Sequence, residues 1–187
     1  MTEFSFHFIS DSYINYLRKK EPHIQENKKG TRPYLVLGVA INGLEYYIPF
    51  SSPKFIENET GEITYSAPKI HKNLFHTLSR VNSEGEVEYL GNLLINNMLP
   101  APLTEVDFID FKELFATDKQ YAILLSKQYD VVKNDIEKII AQALKVYNMR
   151  VGVGKLSDLN PYQTLIKNQC CDFQLLELMK SNYEKRQ

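Results

Sequence analysis

The sequence predicts an α+β fold, an antiparallel and strongly curved sheet packed by C-terminal helices, all in one domain spanning residues 1–187. Up to about residue 110, short apolar and aromatic runs are separated by turn residues, which is typical of strands. From about residue 115 to the end, apolar residues instead recur at helical spacing. With 43% apolar residues, a chain of 187 residues can bury the core of one such domain.

The N-terminal residues predict a strand followed by a short helix. Aromatic and polar residues alternate over residues 4–8, which is the period of a half-buried strand. Ser10 or Asp11 can cap the helix that follows, and Pro22 prevents this helix from continuing. The polar, basic stretch that leads to Thr31 is expected to be a loop.

A hairpin is the most strongly indicated β element. The apolar run 34–41 is joined through Asn42-Gly43 to the run 44–48, and Asn-Gly is the strongest short signal for a two-residue turn. Pro49 and Pro53 follow, and proline cannot donate a backbone hydrogen bond within a central strand. The chain is therefore expected to leave the sheet here and to present the next side chains from its rim.

Further short strands are expected between the hairpin and residue 110. Residues 57–62 form a polar excursion, and residues 82–86 form a turn between two strand-like pieces. The β-rich runs after residue 62 lie at 63–65, 68–71, 87–95 and 106–109.

The rest of the chain is expected to be helical. Apolar residues recur at helical spacing between Tyr121 and Tyr147, which predicts one long helix. A second, short helix is expected over 161–168, before a last one. Residues that can begin or end these helices are Thr117 or Asp118, Gly152, Gly154 and Asp172.

The net charge argues against binding of nucleic acid through bulk positive charge, because it is only −1. One local cluster exists between residues 12 and 33, where six basic residues stand against two acidic ones. Its basic residues are Arg18, Lys19, Lys20, Lys28, Lys29 and Arg32. A solvated helix end and loop would have the same composition, so this alternative stays open.

Other sequence features favour a cytoplasmic protein. No apolar run approaches the roughly 18 residues that indicate a membrane span. The N-terminus lacks the basic and then apolar pattern of a signal peptide. The two cysteines, Cys170 and Cys171, are adjacent, and neighbouring cysteines rarely form a bridge without strain. Both are therefore expected to be reduced and at least partly buried.

The segment Ser51-Ser52-Pro53-Lys54 groups two hydroxyls and a cation at the end of a predicted strand. Hydroxyl hydrogen bonds and an ammonium charge can together hold a phosphate. A polar turn after an edge strand would look the same, so the segment alone supports both interpretations.

Four stretches in a fixed order connect this segment to a known family. They are FISDSYINYL at 8–17, the region from RPY at 32–34 to PFSSPK at 49–54, LINNMLP at 94–100, and finally LLSKQ at 124–128 with CDFQLLE at 171–177. Their order and spacing resemble the ToxN/AbiQ endoribonuclease toxins of type III toxin–antitoxin and abortive-infection systems. The resemblance implies a compact, barrel-like β core, akin to the plasmid-addiction ribonucleases, with helices added.

The resemblance also implies a function and partners. It implies a metal-independent endoribonuclease toxin that is held inactive by an antitoxin RNA of tandem, pseudoknot-like repeats, which it also cuts into units. Its other partners would be cellular or phage RNA, and release during phage infection would arrest the host cell. Whether protein and RNA form an oligomer is left open.

Metal-free RNA cleavage assigns tasks to particular residues. The neighbouring 2′-hydroxyl attacks the phosphorus, so the protein must align the sugar, stabilise charge on the phosphoryl oxygens and move two protons. We expect Ser52 and Lys54 to bind the scissile phosphate, with Ser51 as a supporting donor, and the resemblance points to the same triplet. His71 is the candidate for proton transfer, although a lone histidine at a strand end is more often structural. No histidine or cysteine spacing indicates a metal site, and no cofactor is expected.

The loop before the second strand is the expected RNA-contact region. Its candidates are Lys28 and Lys29, with Arg32 on a phosphate and the Tyr34 ring on a base. Tyr34 could instead start a buried strand.

Two other functions stay open. A non-catalytic module on the same fold would bind RNA tightly without cutting it. A protein-interaction domain that docks through its long amphipathic helix would show no salt-dependent RNA affinity.

Overall fold

The computed structural model describes residues 4–27, 29–152 and 159–186. Within them the strands are β1 Ser5–Ile9, β2 Tyr34–Val36, β3 Tyr46–Ser51, β4 Lys54–Glu57, β5 Ile63–Ser66, β6 His76–Val81, β7 Val87–Leu93, β8 Leu99–Pro100 and β9 Val106–Phe108. The α-helices are α1 Asp11–Arg18, α2 Phe111–Thr117, α3 Lys119–Val151, α4 Pro161–Gln169 and α5 Phe173–Glu184. The predicted helix end at Gly154 lies outside the described residues.

The main sheet is antiparallel, and its strands lie in the order β6-β7-β3-β2-β1-β9, with β8 also pairing with β3. The described strands β6 and β9 form its two edges, so the sheet is open and the expectation of a barrel-like, closed core is wrong. Among the described strands, β4 and β5 pair only with each other and form a separate ribbon. The α+β class is confirmed, and the likeness to the plasmid-addiction ribonucleases stays a prediction.

Local capping residues define most of the helices. The Ser10 side chain accepts a hydrogen bond from Tyr13 N–H at the start of α1, and Asp118 and Asp172 cap α3 and α5 in the same way. Asp172 was predicted as a cap, and Ser10 and Asp118 were each predicted as one of two alternatives. Helix α2 was not predicted, although its cap, Asp110, accepts from two backbone N–H groups.

The predicted hairpin turn is confirmed. Asn42 and Gly43 have φ values of 52° and 74°, and Ile41 pairs with Leu44 across the turn. The run before the turn is not one strand, however, because β2 ends at Val36. The predicted strand at 68–71 does not form, since β5 ends at Ser66 and β6 begins at His76.

Strand β3 continues through Pro49, so the prediction that the chain leaves the sheet at this proline is wrong. The Leu94 N–H donates to the Pro49 carbonyl, and the Phe50 N–H donates to the Pro33 carbonyl on the opposite side. Alternation along the strand therefore turns the Pro49 nitrogen toward the side on which β3 pairs with β8 up to Tyr47 and with β7 from Phe50 onward. Because neither β7 nor β8 pairs with Pro49, its missing N–H interrupts neither ladder.

The helices and the sheet share one hydrophobic core. Glu177 on α5 joins three parts of it, since its Oε1 accepts hydrogen bonds from Tyr46 on β3 at 2.8 Å and from Tyr147 on α3 at 2.7 Å. Cys170 and Cys171 are free and buried in the same core, as predicted. In the described part of the chain, no helix has the length and apolar character needed to cross a membrane.

Candidate active site

Ser51 and Ser52 form a ridge between two cavities. Ser51 is the last residue of β3 and is half-buried, whereas Ser52 is exposed. Both serines line a cavity of 510 Å³ beside α3, called cavity A below. Both also line a cavity of 330 Å³ beside the β4–β5 ribbon, called cavity B. The end of β3 therefore places the predicted phosphate segment in the walls of two adjoining spaces.

Arg32 brings a buried positive charge to cavity A. The residue is 5% exposed and lines the cavity. Its Nε donates to the Glu26 carbonyl at 2.9 Å, and its Nη1 donates to the Phe50 carbonyl, next to Ser51, at 2.7 Å. Burial lowers the pKa of this guanidinium, and none of the described acidic side chains forms an ion pair with it. A buried charge without a carboxylate partner is a ready site for an anion such as a phosphate.

Cavity B combines two lysines with several amides. Lys54, at the start of β4, and Lys69 both line it. Asn92 on β7 is the register partner of Ser51, and its Oδ1 accepts hydrogen bonds from Tyr65 at 2.6 Å and Thr77 at 3.1 Å. The other amides in the cavity wall are Gln25, Asn96 and Asn97. The two lysines bring positive charge to this wall, whereas the Asn96 and Asn97 amide nitrogens already donate to the backbone carbonyls of Gln169 and His23.

Tyr65 attaches the β4–β5 ribbon to the main sheet. Its ring stacks on that of Tyr89 in β7, with centroids 4.0 Å apart and planes 5° apart. Its hydroxyl is the group that donates to Asn92. Because Lys54 pairs with Ser66, the neighbour of Tyr65, this attachment sets the position of Lys54 relative to the serine ridge.

Gly91 allows the close approach of the strands at the ridge. It has a φ of 139° and lies where the β6–β7 register shifts, next to Asn92. A Cβ added here would lie 2.5 Å from the Ser51 carbonyl oxygen and 3.2 Å from Gln128 Nε2. Only glycine therefore fits between Ser51 and α3 without a backbone shift.

His71 lies near cavity B but not in its described wall. Its Nδ1 accepts a hydrogen bond from Asn73 N–H at 3.3 Å, so the side chain caps a short 3-10 turn. Its ring meets the edge of Tyr162 on α4 with centroids 5.3 Å apart. Ile70, one residue before it, does line the cavity. The role of His71 in proton transfer stays a prediction.

The other predicted RNA contacts differ in their exposure to solvent. Tyr34 is 1% exposed and its hydroxyl donates to Asn27 at 3.2 Å, so its ring is not available to stack on a base and the buried-strand alternative holds. Lys29 is exposed in the loop before β2. Lys28 lies outside the described residues. Arg18 is paired with Glu26 at 3.5 Å, which reduces the free charge of the basic cluster.

Several residues of the two cavities were not predicted from the sequence. They are Gln25, Lys69, Asn92, Asn96 and Asn97 in cavity B, and Tyr121 and Gln128 in cavity A. The signal that could have found three of them was present, because Asn96, Asn97 and Gln128 lie within stretches of family resemblance. No cluster of three or more histidine, cysteine or acidic side chains suited to a metal ion occurs in the described part of the chain.

Comparison with known proteins gives a consistent result. Residues 5–180 match the family described as toxin ToxN of the type III toxin–antitoxin system. The chain is 33% identical, over 97% of its length and 84% of the relative's, to the endoribonuclease ToxN of Bacillus thuringiensis subsp. kurstaki. It is 27% identical to the endoribonuclease ToxN of Pectobacterium atrosepticum, over 92% of its own length and 89% of that protein's.

Solved structures agree with these sequence matches. One comes from a bacterial type III toxin–antitoxin system in which a non-coding RNA pseudoknot inhibits the toxin selectively, with a TM-score of 0.79, 29% identity, and coverage of 97% of this chain and 98% of that one. Another is AbiQ, a lactococcal anti-phage endoribonuclease of a type III system, with a TM-score of 0.69, 27% identity and the same coverage.

Proposed function

This chain belongs to the ToxN family of type III toxin–antitoxin toxins, and on that premise we propose that it is a metal-independent endoribonuclease toxin. It cuts RNA by attack of a 2′-hydroxyl on the adjacent phosphorus, which leaves 2′,3′-cyclic phosphate and 5′-hydroxyl ends. The observation that carries the proposal is the position of the Ser51–Ser52 ridge between the cavity of Arg32 and the cavity of Lys54.

The substrate supplies its own nucleophile, so the protein chiefly binds and orients it. Ser52 donates a hydrogen bond to a non-bridging oxygen of the scissile phosphate, and Ser51 is a second donor. The Lys54 ammonium offsets the charge that grows on the phosphoryl oxygens. Arg32, already desolvated at the other side of the ridge, provides a fixed counter-charge for the RNA backbone.

Proton transfer is assigned to His71 as part of the same proposal. His71 directly follows Ile70, which lines cavity B, and the proposal is that its imidazole serves the RNA bound there. Lys28 and Lys29 are proposed to contact the backbone from the loop before β2. The Tyr34 ring is not included, because it is buried.

The proposed inhibitor is an RNA. One structural neighbour is inhibited selectively by a non-coding RNA pseudoknot, and we propose the same kind of antitoxin here, built from tandem repeats that the toxin cuts into units. Its other substrates are cellular or phage RNAs in the bacterial cytoplasm, and their cleavage after release of the toxin arrests growth.

The test compares the wild type with Ser52→Ala and with the matched control Ser83→Ala, which removes a hydroxyl from an exposed turn that lines neither cavity. Each protein is incubated with short single-stranded RNAs and with cellular RNA in EDTA, and the product ends are mapped. We expect cyclic-phosphate 3′ ends from the wild type and Ser83→Ala, and neither cleavage nor growth arrest from a folded Ser52→Ala. Full activity of Ser52→Ala would remove the ridge from the mechanism.

A sequestering RNA-binding module is the second candidate that this experiment separates. The basic loop and the buried guanidinium of Arg32 would serve binding as well as catalysis. Tight RNA binding with intact RNA in the wild type and in Ser52→Ala would establish the module and overturn the endoribonuclease.

A further inference from the structure

Cavity A has the walls of a base-binding pocket. Its apolar surfaces include the aromatic residues Phe8, Phe50 and Tyr121 and the aliphatic Leu124. Its volume of 510 Å³ leaves room for a planar heterocycle. A nucleobase has two apolar faces and a polar edge, so it suits a cavity with apolar walls and a few fixed polar groups.

Gln128 contributes a buried amide to the wall of cavity A. It lies on α3 in the cavity wall, is 4% exposed, and its Nε2 donates to the Leu90 carbonyl at 2.8 Å. Only the amide nitrogen can donate to a carbonyl, so this bond fixes which way the amide points. The Gln128 Oε1 has no hydrogen-bond partner within the described structure. A buried amide oxygen left unpaired is energetically unfavourable, and a hydrogen-bond donor on a ligand can satisfy it.

The position of Gln128 relative to the ridge selects the nucleotide that it meets. Gly91 separates them, because a Cβ placed on it would touch both the Ser51 carbonyl oxygen and Gln128 Nε2. Only Gly91 therefore lies between the Gln128 amide and the backbone of Ser51, the neighbour of Ser52. A base held there belongs to a nucleotide next to the scissile phosphate.

We propose that cavity A binds the base on one side of the cut and that Gln128 Oε1 accepts a hydrogen bond from its exocyclic amino group. This proposal rests on the proposed endoribonuclease function and adds a specificity residue to it. Adenine, cytosine and guanine carry such an amino group. Uracil has no exocyclic amino group, and its ring N–H lies between two carbonyl oxygens. These carbonyl oxygens would repel the amide oxygen of Gln128, so uracil is disfavoured at this position.

The first arm of the test uses the wild type alone. Cut sites are mapped in a random-sequence single-stranded RNA pool, and the preferred RNA is remade with the exocyclic amino group of the flanking base replaced by hydrogen. We expect uridine to be under-represented on one side of the cut, and kcat/KM to fall on the order of tenfold with the remade RNA. Equal use of all bases on both sides of the cut, or an unchanged kcat/KM, would overturn the proposal.

The second arm uses Gln128→Met, which keeps the side-chain length and removes the acceptor. The matched control is Gln142→Met on the same helix, because Gln142 also donates to backbone carbonyls, the partly buried ones of Asn73 and Phe75, but lies outside cavity A. We expect Gln128→Met to cut both RNAs equally well, and Gln142→Met to keep the wild-type discrimination. Discrimination that survives in Gln128→Met would refute the assignment. A wild type that cuts no RNA would instead refute the proposed function itself, so the two failures differ.

Discussion

At the scale of single residues, His71 combines a structural and a proposed catalytic role that one substitution can separate. Its Nδ1 caps a turn by accepting from Asn73 N–H. In His71→Asn the side-chain oxygen can keep this cap, because asparagine is among the best capping residues, while the imidazole is lost. If His71 transfers a proton, we expect cleavage to fall by roughly a hundredfold or more, with loss of one limb of the pH profile of kcat/KM. Near-normal cleavage by the folded variant would make His71 a structural residue.

Gly91 leads to a second prediction at this scale. In Gly91→Ala the new Cβ would meet the Ser51 carbonyl oxygen at 2.5 Å, so the backbone of the serine ridge must move. We expect a loss of about 1–3 kcal/mol of stability, and a fall in kcat on the order of a hundredfold. The control is Gly85→Ala, since Gly85 also has a positive φ, of 83°, but no atom within 4 Å of its Cβ position. Similar cleavage by both folded variants would show that the contact with Ser51 does not matter.

The predictability of the site follows from how its residues come together. Ser51, Ser52 and Lys54 are adjacent in the chain, so their grouping was visible in the sequence. Asn92 and Gln128 reach them only through strand pairing and helix packing, which local patterns do not encode. Tyr34 was ambiguous in the sequence, because an aromatic residue beside a basic loop is typical both of a base contact and of the start of a strand. Its burial in the folded structure decides for the strand.

At the scale of elements, the β4–β5 ribbon depends on Tyr65 for its position. The ribbon strands pair only with each other, so loss of the attachment should leave the main sheet intact. In Tyr65→Ala we expect cleavage to fall roughly tenfold or more, because Lys54 moves away from the ridge, with little change in Tm. Tyr65→Phe keeps the stacking on Tyr89 and loses only the bond to Asn92, so its activity should be intermediate.

The control for this prediction is Ile63→Ala on the same ribbon. Ile63 is 68% exposed, so its truncation leaves the contacts of Tyr65 unchanged. We expect wild-type cleavage from this variant. A Tyr65→Ala protein as active as Ile63→Ala would mean that the ribbon does not position Lys54.

The elements that were predicted correctly are those specified by local signals. The Asn42-Gly43 turn and the caps at Ser10, Asp118 and Asp172 depend on residues close in sequence, and all four are present. The path of β3 through Pro49 depends instead on the change of its pairing partner, from β8 before the proline to β7 after it. That exchange of partners is a property of the whole sheet, so a rule about proline in an isolated strand could not anticipate it.

At the scale of the whole molecule, buried tyrosines set an alkaline limit to stability. Burial raises the pKa of Tyr47 to about 12, and burial together with the hydrogen bond to Glu177 raises the pKa of Tyr147 to about 12. Burial also raises the pKa values of Tyr13, Tyr34 and Tyr46. The folded-state pKa of about 12 lies above the ordinary value of 10.0, so between these pH values the folded state binds more protons than the unfolded state. The contribution of these phenols to the stability of the fold is therefore complete below pH 10 and is lost as the pH rises toward 12.

Tyr147→Phe isolates one of these groups. We expect it to lower the free energy of unfolding at neutral pH by about 1 kcal/mol, through loss of the hydrogen bond to Glu177. Above pH 10 its stability should fall less steeply than that of the wild type, because one fewer buried phenol binds a proton in the folded state. The measurement is urea unfolding across pH, with tyrosinate absorbance as a second probe. Tyr162→Phe, at an exposed tyrosine, should keep the wild-type slope. Equal slopes for Tyr147→Phe and the wild type would show that burial and the hydrogen bond to Glu177 do not raise the pKa of this phenol in the fold.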